Sequence, residues 1–133
     1  MQITSRQLKL IHKAKNYIDK LKSYEKYITI PKYNSNSISS WHLFLISLNF
    51  KSLKKDKDFF IKYLNKYKIF PQFHYVPIYR LKNFKIYKRA NFPKSEIYFK
   101  KVISLPIYVD LSKKDQLFVI NKISEYIRLY KKK

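Results

Sequence analysis

No glycine occurs among the 133 residues of this chain, and this absence restricts both its turns and its chemistry. Glycine adopts a left-handed backbone without steric cost, so tight turns here must rely on asparagine. Glycine-rich phosphate loops, dinucleotide-binding fingerprints and the nucleophile elbow of hydrolases all require glycine, and these kinds of site are excluded. The asparagines expected in turns are Asn34, Asn36, Asn49, Asn65, Asn83 and Asn91.

Helical and extended patterns alternate along the chain. Thr4 to Gln7 has the spacing of a capping box, and the apolar residues that follow recur at steps of three and four. Related signals predict helices over residues 5–26, 52–68, 92–101 and 112–130. Apolar runs predict strands over residues 40–50, 69–76 and 102–105, with Pro71 confining the second to an edge or a strand start. Residues 28–40 are expected to form a short extended piece and a loop, and residues 77–91 a loop.

The order of these segments predicts the fold class. Helix and strand alternate from the first helix to the last, without an internal repeat or a linker. We therefore expect one domain over residues 1–133, of the α/β (α+β) class, in which helices cover a small sheet. No run of residues has the length and apolarity of a membrane span, and the N-terminus lacks a signal-peptide pattern. A cytoplasmic location without a membrane partner is expected.

The formal net charge of +22 suggests, at first sight, a protein that binds nucleic acid. Lysine, however, accounts for 26 of the 30 basic residues and is spread over every segment. Residues with AT-rich codons are enriched and those with GC-rich codons are depleted, as a mutational bias toward A and T would produce. Because phosphate-binding surfaces cluster their cations, we interpret most of the charge as solvated surface and do not expect a nucleic-acid partner.

Metal and thiol chemistry are not expected either. The chain has no cysteine, and its three histidines are widely separated in sequence. His12 falls on a lysine-rich helix face and is interpreted as surface. His42 is interpreted as a structural residue of its strand, with Trp41 as a packing anchor. Ser104 is expected to fix the backbone where a strand meets a turn.

Five segments, in order, resemble the C-terminal domain of the DegT/DnrJ/StrS aminotransferases. These pyridoxal-phosphate enzymes aminate keto groups on nucleotide-linked sugars, in the synthesis of cell-surface polysaccharides and glycans. The segments are Ser40–Phe44, Gln72–Tyr79, Phe92–Glu96, Ser104–Tyr108 and Leu111–Gln116. The run HYVPIY, at residues 74–79, further resembles members that make 4-amino-4,6-dideoxy sugars on a UDP carrier, as in the pseudaminic acid pathway.

The resemblance implies that the cofactor-binding residues belong to a second domain. In this family the lysine that holds pyridoxal phosphate as a Schiff base, and the aspartate that pairs with its ring nitrogen, belong to a large domain. No residue of this chain matches either of them, so no catalytic or cofactor-binding residue is assigned. The resemblance implies a detached small domain, inactive alone, that acts with a large domain on a separate chain. A split gene, a truncated copy and a decayed fragment would all produce such a chain.

The resemblance assigns three substrate-binding residues, His74, Tyr75 and Tyr79. In the family this segment passes close to the substrate cleft between the two domains. A histidine can donate to a sugar hydroxyl or a diphosphate oxygen, and a tyrosine can do the same while its ring packs on the sugar. The alternative is that His74 is an internally bonded strand residue and Tyr75 part of the core.

Lys68 marks a departure from the family pattern, since members commonly have a glycine between the second helix and the HYxP segment. A lysine with left-handed backbone angles costs on the order of 1 kcal/mol relative to glycine. We therefore expect a local loss of stability there without a change of topology.

Two other functions stay open on the sequence. One is a small, basic, non-enzymatic protein that binds nucleic acid through lysine and tyrosine side chains. The other is a non-functional fragment, with exposed apolar patches where a large domain would dock.

Overall fold

The computed structural model describes residues 3–32, 37–84 and 91–132. The helices are α1 (Ser5–Leu21), α2 (Lys57–Lys66), α3 (Pro93–Lys101) and α4 (Lys113–Tyr130). The strands are β1 (Ile28–Thr29), β2 (Phe44–Leu48) and β3 (Val102–Leu105), which form an antiparallel sheet in the order β1-β2-β3. The predicted α+β class, with helices on a small sheet, is confirmed. None of the helices described is long and apolar enough to cross a membrane.

The buried face of the sheet follows from the alternation of side chains along β2. Phe44, Ile46 and Leu48 are buried because every second residue of a strand points to the same side. Phe44 pairs with Leu105 of β3, and Leu48 pairs with Ile28 of β1. All three strands therefore contribute apolar side chains to one core.

Helices α1 and α4 pack against this core through apolar stripes of helical period. Ala14, Tyr17 and Leu21 of α1 are buried, at steps of three and four residues. The Tyr17 ring centroid lies 4.9 Å from that of Phe44, and the Tyr17 hydroxyl donates to the Pro106 carbonyl at 2.8 Å. The buried apolar residues of α4 are Val119, Ile120, Ile123, Tyr126 and Ile127.

The N-termini of α1 and α4 are capped where the sequence predicts caps. The Thr4 N–H donates to Gln7 Oε1 at 2.8 Å, and Thr4 Oγ1 accepts from the Gln7 N–H at 3.3 Å, which completes the capping box of α1. Ser112 Oγ accepts from the Asp115 N–H at 3.0 Å at the start of α4. These bonds satisfy backbone donors that have no partner within the helix.

Two predicted helix boundaries are wrong by several residues. The second helix begins at Lys57 and not at 52, because the Asp56 side chain accepts from the Phe59 N–H at 2.9 Å and caps the helix there. The first helix ends at Leu21 and continues only as a 3-10 turn over Lys22–Tyr24, short of the predicted end at 26. Helix ends are set by local hydrogen bonds that periodicity does not report.

Residues 69–76 do not form the predicted strand. Only Gln72 pairs, in an isolated bridge with Ser104 on the outer edge of β3. Pro71 has no N–H to donate, so the pairing cannot extend through it. The segment nevertheless lies at a sheet edge, as Pro71 requires. In the predicted loop over 77–91, residues 78–80 and 82–84 form 3-10 turns, and residues 85–90 lie outside the described part.

The left-handed positions in the described part of the chain are not at asparagine. Among the residues described, Lys68 (φ 60°) and Trp41 (φ 50°) have positive φ. The prediction that left-handed turns would use asparagine was therefore wrong for these two positions, which a lysine and a tryptophan occupy. Asn34 and Asn36 lie outside the described ranges. Asn49 shapes its turn through its side chain instead, because its Oδ1 accepts from the Lys51 N–H at 3.2 Å.

We expect Lys68→Gly to raise the free energy of unfolding by roughly 0.5–1 kcal/mol, because glycine removes the steric cost of the left-handed backbone. Urea unfolding followed by far-ultraviolet circular dichroism measures the change. The matched control is Lys62→Gly in the exposed middle of α2, which should lower the free energy of unfolding by about 0.5–1 kcal/mol. Destabilisation by both substitutions would contradict the assignment of Lys68.

Candidate functional site

A cavity of about 720 Å³ lies where the end of α2, the end of β3 and the first half of α4 meet. Its walls are largely apolar, with residues such as Ile69, Leu105, Leu111 and Val119. The residues with polar side-chain atoms in its lining are His42, Tyr67, Lys68, Gln72, His74, Ser104, Tyr108 and Asp115. Apolar walls with a few converging polar groups are typical of a ligand-binding site.

Backbone hydrogen bonds hold two walls of the cavity together. The Gln72 N–H donates to the Ser104 carbonyl at 3.1 Å, and the Ser104 N–H donates to the Gln72 carbonyl at 2.8 Å. These two hydrogen bonds fix the segment after α2 along the edge of β3. The bond from Tyr17 to the Pro106 carbonyl fixes the turn that follows β3. Ser104 also belongs to the cavity lining, and its expected role in fixing the backbone through a side-chain hydrogen bond stays a prediction.

His74 lines the cavity with an imidazole whose hydrogen-bonding groups are unused. Both ring nitrogens are buried, and neither has a hydrogen-bond partner among the described residues. A buried polar atom without a partner costs about 1–3 kcal/mol, so such an atom facing a cavity is suited to bond a ligand or a water molecule. A neutral imidazole offers one donor and one acceptor.

The other two predicted substrate-binding residues do not line this cavity. Tyr75 is 74% exposed, its ring contacts that of His74 edge-on at 4.8 Å, and the peptide bond between the two residues is cis. Tyr79 is buried and stacks on Phe92, with ring centroids 4.8 Å apart. Burial raises the pKa of Tyr79, and the neighbouring Glu96 carboxylate adds to the effect. The structure thus brings His74 to the cavity, Tyr75 to the surface beside it, and Tyr79 against α3.

Two cavity residues were missed by the sequence reasoning. His42 is exposed, precedes β2 and lines the cavity, so the prediction of a structural strand residue was wrong. Strand β2 begins only at Phe44, two residues after His42. Lys68 was singled out for its backbone, but it also lines the cavity. The anchoring role of Trp41 is confirmed, since its side chain is buried 5.6 Å from the Phe44 ring.

The charges around the cavity favour a polar or anionic ligand. Asp115, the one acidic residue that the described part of the chain contributes to the lining, is engaged by the helix cap, because its Oδ2 accepts from Ser112 Oγ at 2.6 Å. Lys68 makes no salt bridge within the described ranges, and the imidazoles of His42 and His74 face the same space. An ammonium and two imidazoles can together bind the oxygens of a phosphate or of a sugar.

Comparisons with known proteins decide the family. A sequence model described as the DegT/DnrJ/EryC1/StrS aminotransferase family matches residues 2–124. The chain belongs to this aminotransferase family. This agrees with the resemblance carried by its five sequence segments.

Curated relatives of this aminotransferase chain are much longer than it is. An uncharacterized protein of Methanocaldococcus jannaschii, MJ1066, is 32% identical over 119 residues, which are 86% of this chain and 30% of that protein. The Bacillus subtilis spore coat polysaccharide biosynthesis protein SpsC is 30% identical over 67% of this chain and 24% of its own length. A dTDP-3-amino-3,6-dideoxy-alpha-D-galactopyranose transaminase of Aneurinibacillus thermoaerophilus is 26% identical over 85% of this chain and 29% of its own length. The chain therefore spans less than a third of these relatives.

Solved structures show the same fold. Helicobacter pylori PseC, an aminotransferase involved in the biosynthesis of pseudaminic acid, superposes with a TM-score of 0.81 at 23% identity, over 93% of this chain and 33% of that protein. The S. venezuelae protein DesV, in complex with a ketimine intermediate, gives a TM-score of 0.79 at 23% identity, over 92% and 32% of the two chains.

The described residues do not fit a pyridoxal-phosphate site of their own. The buried lysine among them, Lys57, lies outside the cavity, and its Nζ already donates to the carbonyls of Phe99 and Val102. Asp115, the carboxylate at the cavity, belongs to the α4 cap. Within these ranges no group of three or more His, Cys, Asp or Glu side chains could hold a metal ion. No catalytic residue is assigned to this chain.

Proposed function

We propose that this chain is the small domain of a pyridoxal-phosphate-dependent sugar aminotransferase and forms one wall of its substrate cleft. The cofactor, the Schiff-base lysine and the chemistry belong to a large domain on a separate chain, and residues 1–133 act as one domain that is inactive alone. The observation that carries the proposal is His74, a residue of the cavity lining whose two ring nitrogens are buried without a hydrogen-bond partner among the described residues, in a chain from this family. The expected cytoplasmic location is part of the proposal.

The substrate class that fits the cavity is a nucleotide-linked keto-deoxy sugar. The diphosphate oxygens of such a molecule can accept hydrogen bonds from the ammonium of Lys68. Its hydroxyls can form hydrogen bonds with the imidazoles of His42 and His74. The exposed ring of Tyr75, at the edge of the site, offers a face on which a sugar can pack. The product of the Aneurinibacillus relative and the role of SpsC in polysaccharide synthesis support this class. A UDP-linked 4-keto sugar, as suggested by the HYVPIY segment, is its narrower form.

An apolar surface next to the site is suited to dock the large domain. We call this surface the apolar segment, and it comprises the exposed side chains of Tyr75, Val76, Ile78, Leu81 and Phe84. Each is at least 42% exposed, and Ile78 is 62% exposed. Contiguous exposed apolar residues mark interaction surfaces in soluble proteins, because their burial against a partner is favourable. The apolar segment begins one residue after His74, so a domain docked there would close over the cavity.

Co-expression tests this assembly directly. The chain is produced with the protein encoded immediately upstream, and the pair should co-purify, absorb as a pyridoxal imine and aminate a UDP-linked 4-keto sugar. Ile78→Glu should abolish co-purification, because it places a charge in the apolar segment. Leu129→Glu, at an exposed apolar residue of α4 outside this segment, is the matched control and should have no effect. Failure of the two proteins to associate would contradict the proposal and favour a non-functional fragment.

In the assembled enzyme, His74→Phe should lower kcat/KM by roughly 10- to 100-fold. The phenyl ring keeps the volume but removes both nitrogens, and a substrate hydroxyl left without its partner in a buried site costs about 1–3 kcal/mol. The same substitution at His12, on an exposed face of α1, should leave kcat/KM unchanged. Equal kinetics for the two variants would exclude His74 from the substrate site.

The nucleic-acid alternative has one observation in its favour. A groove of about 480 Å³ between α1 and α4 is lined by Lys9, Lys13, Lys20 and Lys113, and no acidic side chain lines it. We expect single-stranded RNA to dissociate by about 0.15 M salt, as generic electrostatic attraction does. Replacing Lys9, Lys13 and Lys113 by Gln should then weaken binding no more than the same change at Lys62, Lys66 and Lys94. Binding that persists at this salt and depends on the groove would favour the alternative.

A further inference from the structure

Lys57 is a charged residue in an unusual place. It is the first residue of α2 and is only 8% exposed, and it is the buried lysine among the residues described. Its Nζ donates to the Phe99 carbonyl and, at 3.4 Å, to the Val102 carbonyl. Phe99 lies in the last turn of α3, and Val102 follows that helix, so the ammonium meets the negative end of the α3 dipole.

The same ammonium contacts two aromatic rings. Lys57 Nζ lies 4.5 Å from the ring centroid of Phe73 and 4.4 Å from that of Phe99. A cation within about 6 Å of a ring centroid is attracted to the ring face, and the attraction is stronger when both groups are desolvated. Lys57 therefore links α3 to the residue that immediately precedes His74.

The far end of this segment is fixed to the same helix. Arg80 forms an ion pair with Glu96 of α3, with Nε donating to Oε1 at 2.9 Å, and its guanidinium carbon lies 4.7 Å from the Phe99 ring centroid. Residues 73 and 80 are thus both held on α3, while Tyr75 and Ile78 between them are exposed. Because both ends of this segment are fixed on α3, the residues between them have few accessible conformations.

Stability alone does not explain a charge at this position. Burial lowers the pKa of Lys57, although Asp58 acts in the opposite direction, so the charged form is disfavoured where it lies. Replacing a buried charge by an apolar side chain of similar volume is often neutral or stabilising. The contacts of Lys57 with α3 and Phe73 point to a role in placing the neighbouring segment.

We propose that Lys57 is a positioning residue that acts through the ring of Phe73 and holds His74 in the wall of the cavity. The proposal rests on the proposed function for the role of His74 toward substrate. The placement itself is a property of this chain and can be measured without a large domain.

The test compares the histidine-ring carbon and proton resonances of the full chain with those of Lys57→Met and Lys57→Arg. In Lys57→Met the His74 signals should shift and broaden toward their positions in the urea-unfolded chain, while those of His12 on α1 stay in place. Lys57→Arg should restore the native signals, because a guanidinium can also donate to carbonyls and stack on aromatic rings. A purely structural role would lower the melting temperature and leave the His74 signals of the folded protein unchanged.

A second variant keeps the test decisive if Lys57→Met fails to fold. Phe73→Leu removes the ring from a side chain that is 42% exposed and leaves Lys57 in place, and it should displace the same His74 signals. In a double-mutant cycle the shifts of the His74 signals caused by Lys57→Met and by Phe73→Leu should not add, because both substitutions remove the same contact between residues 57 and 73. Native His74 signals in a folded Lys57→Met or Phe73→Leu protein would overturn the proposal. The His74 signals are measured on this chain alone, whereas the proposed function is tested by co-purification with a large domain. Failure of one proposal is therefore distinguishable from failure of the other.

Discussion

Tyr17 joins the parts of the structure on which both the core and the candidate site depend. Its fully buried ring packs on Phe44 of β2, and its hydroxyl reaches past the sheet to the Pro106 carbonyl. A sheet with strands of two, five and four residues is too small to be stable without helices on its face. The contact that attaches α1 to this sheet therefore also fixes the turn after β3, which forms one wall of the cavity.

The predictable part of the fold rests on interactions between residues close in sequence. The capping box at Thr4 and the cap at Ser112 are such interactions, and both were predicted correctly. The strand expected over residues 69–76 failed because Pro71 limits pairing to the single bridge at Gln72, which only the position of β3 decides. The later start of α2 has a local cause, since the Asp56 side chain accepts from the Phe59 N–H and caps the helix there. Apolar runs thus indicate burial more reliably than they indicate strand pairing.

The candidate site was predictable only where a sequence segment carries the family resemblance. That segment led to His74, which lines the cavity, but it did not separate His74 from Tyr79, which packs against α3. His42 and Lys57 acquire their surroundings from distant parts of the chain. Nothing in the sequence distinguishes Lys57 from the other 25 lysines, because its burial depends on Phe99, which is 42 residues away.

The left-handed backbone at Lys68 has a consequence for how this protein can evolve. A lysine codon becomes an asparagine codon by a change at its third base, whereas a glycine codon needs G at both of its first two bases. An exchange of Lys68 for asparagine therefore needs one base change, and an exchange for glycine needs two. The steric cost of the left-handed backbone at this position is therefore relieved in fewer steps by an asparagine than by a glycine.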